Sequence, residues 1–272
     1  MEIIDIDIRR RDLQTISKAT VLAIAISLCS GCGGGSSGSS GESAQAASIL
    51  KALTGDGSAR VLAFGDSITE GVGDEVPGSA RGYPSRLEPV LAVPIDQQGV
   101  SGEALAFAGL NRLTGLLPQS DAGIVILDEG NSDAYEGVTV ANYRSALESA
   151  VGAIEDSGKV TILMNQYPTC CAAGGHQTEL DAVNGEMNQV AAEHGIRLAD
   201  LDRAWKSTCD RLPDCDLLSG DGLHPNSRGY DVIAQVVLAT LAGIDVFSPH
   251  GATDLEKAYA LPKGSVIVKP DE

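Results

Sequence analysis

Ser67 follows a short apolar run, Val61 to Gly65, and opens a stretch that can begin a helix or a tight turn. A hydroxyl placed there faces solvent beside backbone N–H groups that have no helical partner. Serine also caps helices well, so position alone assigns no chemistry. A second segment, Asp221 to Asn226 (DGLHPN), sets a carboxylate three residues before a histidine. A serine hydroxyl is a poor nucleophile at neutral pH. It needs a neutral imidazole to accept its proton and a carboxylate to fix the imidazole tautomer and stabilise the imidazolium. One short loop carrying Asp221 and His224 supplies both. His176, His194 and His250 lack a carboxylate at this spacing and read as surface or loop residues.

The elements that must position these groups alternate between short apolar strands and amphipathic helices, the pattern of a parallel sheet built from βαβ units. Strands are predicted at Val61–Gly65, Val93–Gln97, Gly123–Asp128, Val160–Asn165 and Ile196–Asp200, with helices at Asn142–Glu155, Leu180–His194 and Ser227–Leu241. This gives an α/β, three-layer, flavodoxin-like fold around a mostly five-stranded parallel sheet. The first four strands end in polar or Gly-rich residues: GDS, QGVSG, DEGNSD and NQYP. Ligands of open α/β sheets bind beyond the carboxyl ends of the strands, so these loops should converge on the reactive edge. Tyr83, Tyr135 and Tyr167 lie in or near them and could line an acyl pocket, although turn packing explains them equally. Asp128 and Glu129, also at a strand end near these loops, could tune the site, and a hydrogen-bonded structural role is the preferred reading.

Together the segments resemble the SGNH/GDSL hydrolases. Gly65 to Gly71 (GDSITEG) matches the first block, with Ser67 as nucleophile. Gln98 to Glu103 (QGVSGE) matches the second at Gly102, and Asp221 to His224 (DGLH) matches the last. Gly82 to Leu87 (GYPSRL) and Ile196 to Leu201 (IRLADL) add support, and the resemblance spans about Val61 to Leu241. It implies a serine esterase acting on lipid, aryl or acetyl esters through a Ser67, His224, Asp221 triad and an acyl-enzyme, with no metal or cofactor. The oxyanion hole would use the N–H groups of Ser67 and Gly102 and a third donor. For that donor the family pattern is Gly, any residue, Asn, Asp, but the chain reads Gly130, Asn131, Ser132, Asp133. Asn131 is the preferred donor through a shifted loop; Ser132, which takes the asparagine place without a gap, is the alternative. A different class of reading is a non-catalytic envelope binding module that keeps the fold.

Composition bounds the partners. The formal charge of -18 repels phosphate backbones, which argues against nucleic-acid partners, and a monomer acting on a small-molecule or lipid ester is expected. Only 4% of residues are aromatic, which argues mildly against a stacking platform for sugars. Asp210, Asp214, Asp216 and Asp221 lack the alternation and glycine of an EF-hand loop and read as solvated surface.

Arg9, Arg10, Arg11 and Lys18 precede an apolar run from Ala19 to Leu28, as in an export signal too short to span a bilayer. Leu28 to Gly33 resembles a lipoprotein cleavage box. A lipid on Cys32 would be the sole link to a membrane, with cleavage before Cys29 as a weaker option. The implied organisation is a signal at residues 1–31, a flexible Gly/Ser linker at 32–47, a catalytic domain at 48–245 and a tail at 246–272 that packs on the domain or stays mobile. Export suits disulfides among Cys170, Cys171, Cys209 and Cys215. Three pairings are open, with the 170 loop joined to the 209–215 segment as the preferred link.

Overall fold

The computed structural model describes residues 39–54, 59–76, 81–170, 173–209 and 216–271. In chain order the elements are α1 (Ser39–Thr54), β1 (Val61–Gly65), α2 (Ser67–Glu70), α3 (Gly82–Leu91), β2 (Ile95–Gly99), a π-helical turn (Leu105–Gly109), α4 (Leu110–Leu116), β3 (Ile124–Asp128), α5 (Asn131–Tyr135), α6 (Val140–Asp156), β4 (Val160–Met164), α7 (Gln177–His194), β5 (Arg197–Ala199), α8 (Leu201–Thr208), α9 (Ser227–Ala242) and α10 (Gly251–Ala258). The sheet runs β2-β1-β3-β4-β5, and every neighbouring pair is parallel. β1 therefore has β2 on one side and β3 on the other, which places the switch in strand order at the end of the strand that leads to Ser67.

Parallel strands covered on both faces are apolar throughout, and β1 and β3 are buried at every position. Alternate side chains serve two cores. Val61, Ala63, Ile124, Ile126, Ile162 and Met164 face the layer that contains α9, α3 and α8, with Trp205 and Tyr230 in its interior. Leu62, Phe64, Val125, Leu127 and Leu163 face α6 and α7. The three-layer α/β/α arrangement thus follows from strand periodicity and the two amphipathic crossover helices.

Besides helices such as α3 that were not expected, β2 and α1 depart from the sequence-based reading, and the tail takes the packed one of its two alternatives. β2 begins at Ile95 rather than Val93, because Pro94 has no N–H to donate to the ladder; its carbonyl instead accepts from Val61 N at 3.1 Å. α1 occupies the end of the stretch read as a flexible linker, since Glu42 to Leu53 is rich in helix formers and Ile49 is buried against the core. The segment after Asp245 is packed: Val246, Phe247, Leu255 and Val268 are buried in the same core as α9. The export signal, the cleavage box with Cys32, the four residues Cys171, Asp210, Asp214 and Cys215, and most of the Gly/Ser stretch lie outside the described residues, and the disulfide pairing falls there with them. Among the described residues no helix is long and apolar enough to cross a membrane.

Candidate active site

Ser67 is the first residue of α2, one step beyond the Asp66 that follows β1. The turn is tight because α2 must start against β3. A Cβ on Gly65 would lie 2.3 Å from the Asp128 carbonyl oxygen and 2.3 Å from Thr69 Oγ1, so only glycine fits the approach. Asp66 caps α2 by accepting from Ile68 N at 2.9 Å. The Ser67 hydroxyl lies 3.0 Å from His224 Nε2, although the two residues are 157 apart in sequence. His224 Nδ1 lies 2.7 Å from Asp221 Oδ2. With the proton on Nδ1 donated to the carboxylate, Nε2 is left to accept from Ser67, which is the tautomer a general base requires.

Asp221 is held as a charged acceptor although half its side-chain surface is exposed. Its Oδ1 accepts from Ser219 Oγ at 2.8 Å, Leu223 N at 2.9 Å and His224 N at 3.0 Å. Burial pulls its pKa upward, but the His224 contact and these donors outweigh it and keep the group well below the usual carboxylate range. The loop itself is anchored through its backbone. Tyr167 OH donates to Leu223 O at 3.1 Å, and Cys170 N donates to Gly222 O at 2.8 Å. Tyr167 is fully buried and stacks on Trp205, while Tyr83 is fully buried beside Thr69. Two of the three tyrosines considered as pocket lining are thus interior supports, and only Tyr135 keeps partial exposure, its ring 4.3 Å from that of His176.

Gly73 lies against the other side of His224. It has a φ of +87°, and a Cβ there would fall 2.6 Å from Pro225 O and 2.8 Å from His224 Cβ. Gly73→Ala should therefore displace the imidazole and lower kcat about ten- to a hundredfold in a protein that still folds. Steady-state kinetics beside a circular dichroism melt check it, and an unchanged kcat would contradict the contact.

Around Ser67, its own N–H group and that of Gly102 donate to no protein acceptor among the described residues. Ser132, the alternative third donor, is committed: its N–H and hydroxyl both donate to Asp66 Oδ2, at 3.1 Å and 3.0 Å. Asn131 is buried at the start of α5, and its Nδ2 has no hydrogen-bond partner. The sequence reading preferred Asn131; the contact of Ser132 with Asp66 joins residues 66 apart and has no local sequence signal.

Near Ser67 lies a group of buried acids, Asp66, Asp128, Glu129 and Asp133, of which the sequence reading considered only Asp128 and Glu129. Asp133 accepts from Leu105 N at 2.8 Å and Ala106 N at 3.0 Å, and Asp128 accepts from Thr69 Oγ1 at 2.9 Å. Glu129 departs from the expected hydrogen-bonded role: it is fully buried, and neither carboxyl oxygen has a partner. Burial raises the pKa of all four acids. Asp66 is pushed up to about 6, against the pull of its donors, and Asp128 to about 8 by burial and then by the charge of Asp66. Asp133 is raised by burial, and Glu129 by burial and the neighbouring acids, well above its usual value.

Such groups keep in the folded state a proton that the unfolded chain has released, so stability falls as pH rises across the window from about 4 to about 8. Asp74, which burial would raise but which Arg86, Ser227 and Gly82 hold down to about 2, adds the opposite slope only below about pH 4. Urea unfolding should show a loss between pH 5 and pH 8 that Asp128→Asn reduces by roughly 4 kcal/mol. A loss of the same size in the variant would exclude Asp128 as its source.

No cluster of metal-ligating side chains occurs among the described residues; Asp216 pairs with Arg228. The model of the GDSL-like lipase/acylhydrolase family matches residues 63–232. An acetylxylan esterase of Xylanibacter ruminicola is 21% identical over 212 residues, which is 67% of this chain but only 43% of that protein's length. Among solved structures, the lipase/acylhydrolase from Enterococcus faecalis aligns with a TM-score of 0.59 at 24% identity, over 68% of this chain and 95% of its own. The acetylxylan esterase of Geobacillus stearothermophilus aligns with a TM-score of 0.55 at 20% identity, over 67% and 93%. A psychrotrophic esterase of Pseudoalteromonas sp., in a structure inhibited by monoethylphosphonate, aligns with a TM-score of 0.54 at 23% identity, over 68% and 97%. On the family match across residues 63–232, this chain belongs to the GDSL-like lipase/acylhydrolase family.

Proposed function

We propose that the protein is a carboxylic ester hydrolase in which Ser67, His224 and Asp221 form the catalytic triad. The observation that carries this reading is the continuous chain from Ser67 Oγ to His224 Nε2 at 3.0 Å and from His224 Nδ1 to Asp221 Oδ2 at 2.7 Å. In the first step His224 takes the hydroxyl proton as Ser67 Oγ attacks the ester carbonyl. The developing oxyanion is held by the N–H groups of Ser67 and Gly102 and by Asn131 Nδ2, whose burial without an acceptor supports that assignment. His224 then gives its proton to the departing alcohol. Water, deprotonated by the same imidazole, attacks the acyl-enzyme and releases the acid and free Ser67. No step requires a metal or an organic cofactor.

The reading includes an exported monomer with a lipid on Cys32, supported by the basic and apolar order of residues 9–33. Its substrates are carboxylic esters of the lipid, aryl or acetyl class. The test is hydrolysis of p-nitrophenyl esters of increasing acyl length, with titration by a fluorophosphonate. Activity that falls steeply beyond acetyl assigns a short acyl site, and activity sustained to long chains assigns a lipid groove. A folded protein that neither hydrolyses the series nor reacts with fluorophosphonate would instead be a binding module.

A further inference from the structure

The turn that carries Gly102 is closed by its backbone, with Val100 N donating to Gly65 O at 3.0 Å and Glu103 N to Val100 O at 3.1 Å, while its exposed tip has charged groups rather than packing beside it. A Cβ built on Gly102 meets nothing within 4 Å, and Ser101 and Gly102 are exposed. The flanks of the turn are tied down instead. Arg112, on α4, donates from Nε to Glu103 Oε1 at 2.7 Å, from Nη1 to Gln98 O at 3.1 Å and from Nη2 to Gly65 O at 3.2 Å. Its guanidinium lies 3.9 Å from the centroid of the Phe64 ring, and Glu103 retains only 7% of its side-chain exposure. Gln98 and Glu103 bracket Gly102, while Gly65 stands two residues before Ser67. From the nucleophile side, Glu70 Oε2 accepts from Ser101 N at 3.0 Å.

We propose that Arg112 is a positioning residue of the oxyanion hole: by binding Gln98, Glu103 and Gly65 at once, it fixes the Gly102 N–H relative to that of Ser67. The inference rests on the assignment of those two N–H groups as oxyanion donors. A single planar fork satisfies three acceptors on separate segments, which the point charge of lysine cannot do. Donors in such a site contribute only when already aimed at the position the oxyanion will occupy, so a loosened turn costs turnover more than substrate binding.

The experiment compares the wild-type protein with Arg112→Lys and Glu103→Gln, each normalised to active sites titrated with fluorophosphonate. Arg112→Lys should lower kcat per titrated site about ten- to a hundredfold with KM within twofold, and weaken inhibition by an alkylboronic acid, which binds Ser67 as a tetrahedral adduct, by a similar factor. Glu103→Gln keeps the acceptor but not its charge, and should move the same two quantities less. It also provides the reading if Arg112→Lys does not fold. Wild-type kcat and boronate affinity in the folded variants would overturn the proposal, as would a loss fully accounted for by fewer titratable sites. Ser67→Ala is assayed beside them. Esterase activity that survives Ser67→Ala sinks the triad itself, whereas a Ser67-dependent activity indifferent to Arg112 sinks only the clamp.

Discussion

Ser67→Ala should lower kcat for ester hydrolysis by about a million-fold and leave KM within a few-fold, because it removes the nucleophile and little of the surface that binds the ester. His224→Ala should cost about as much, and the double variant no more than either single one, since members of a triad fail as a unit. Asp221→Asn is predicted to be milder, at about ten-thousandfold, and for a different reason. The carboxylate accepts from His224 Nδ1 at 2.7 Å and is itself held by three donors on Oδ1. An amide placed there can donate to the imidazole as well as accept, and so favours the tautomer with Nδ1 unprotonated and Nε2 unable to take the serine proton. A loss in Asp221→Asn below about tenfold would mean that the observed contact does not set the tautomer. Steady-state kinetics on one p-nitrophenyl ester, normalised to folded protein, is sufficient.

Asp74→Ala is predicted to cost about 3 kcal/mol of stability and to lower kcat as well. The Asp74 side chain has no exposed surface, and it binds Arg86 Nη1 at 2.6 Å, Gly82 N at 2.9 Å and Ser227 Oγ at 2.7 Å. Arg86 in turn donates to Ser227 O at 3.1 Å and to Asp231. Removal of the carboxylate leaves a largely buried guanidinium with one partly exposed counter-charge. It also frees the first residue of α9, three positions beyond His224. The structural loss should appear in urea unfolding, and the catalytic loss should exceed what the unfolded fraction explains. Asp74→Asn, which retains an acceptor, should fall between the two proteins. A variant as stable as wild type would show that the ion pair recovers no more than its own desolvation cost.

The residues proposed as the triad could be singled out in the sequence because each sits in a contiguous block. Ser67 follows a strand, and Asp221 and His224 share one loop, so the blocks could be matched together to the family resemblance although neither spacing alone assigns a chemistry. The strands were legible for a similar reason, as apolar runs bounded by polar residues. The rest depends on pairs far apart in the chain. Ser132 meets Asp66, Asp74 meets Ser227 and Arg112 meets Gly65, at separations of 66, 153 and 47 residues. No local pattern marks such a pair.

α3, which contains Pro84 and Pro89, was not among the helices expected from the sequence. Pro84, early in the helix, occupies a place where the missing N–H costs little, whereas the helix keeps Pro89 near its end. The tail after Asp245 lacks periodicity because a few separated side chains, Val246, Phe247, Leu255 and Val268, bind it to the core. Glu129 gave no signal at all: its lack of partners is a property of the folded interior.

The central claim is that Ser67 is a nucleophile activated by His224. Its most direct measurement is the mass of peptides from protein treated with a fluorophosphonate, for the wild type and for His224→Ala. The account predicts one phosphonyl adduct, on Ser67, formed at a rate that His224→Ala reduces by at least a hundredfold. An adduct on another residue, or labelling of Ser67 that proceeds unchanged without His224, would contradict it.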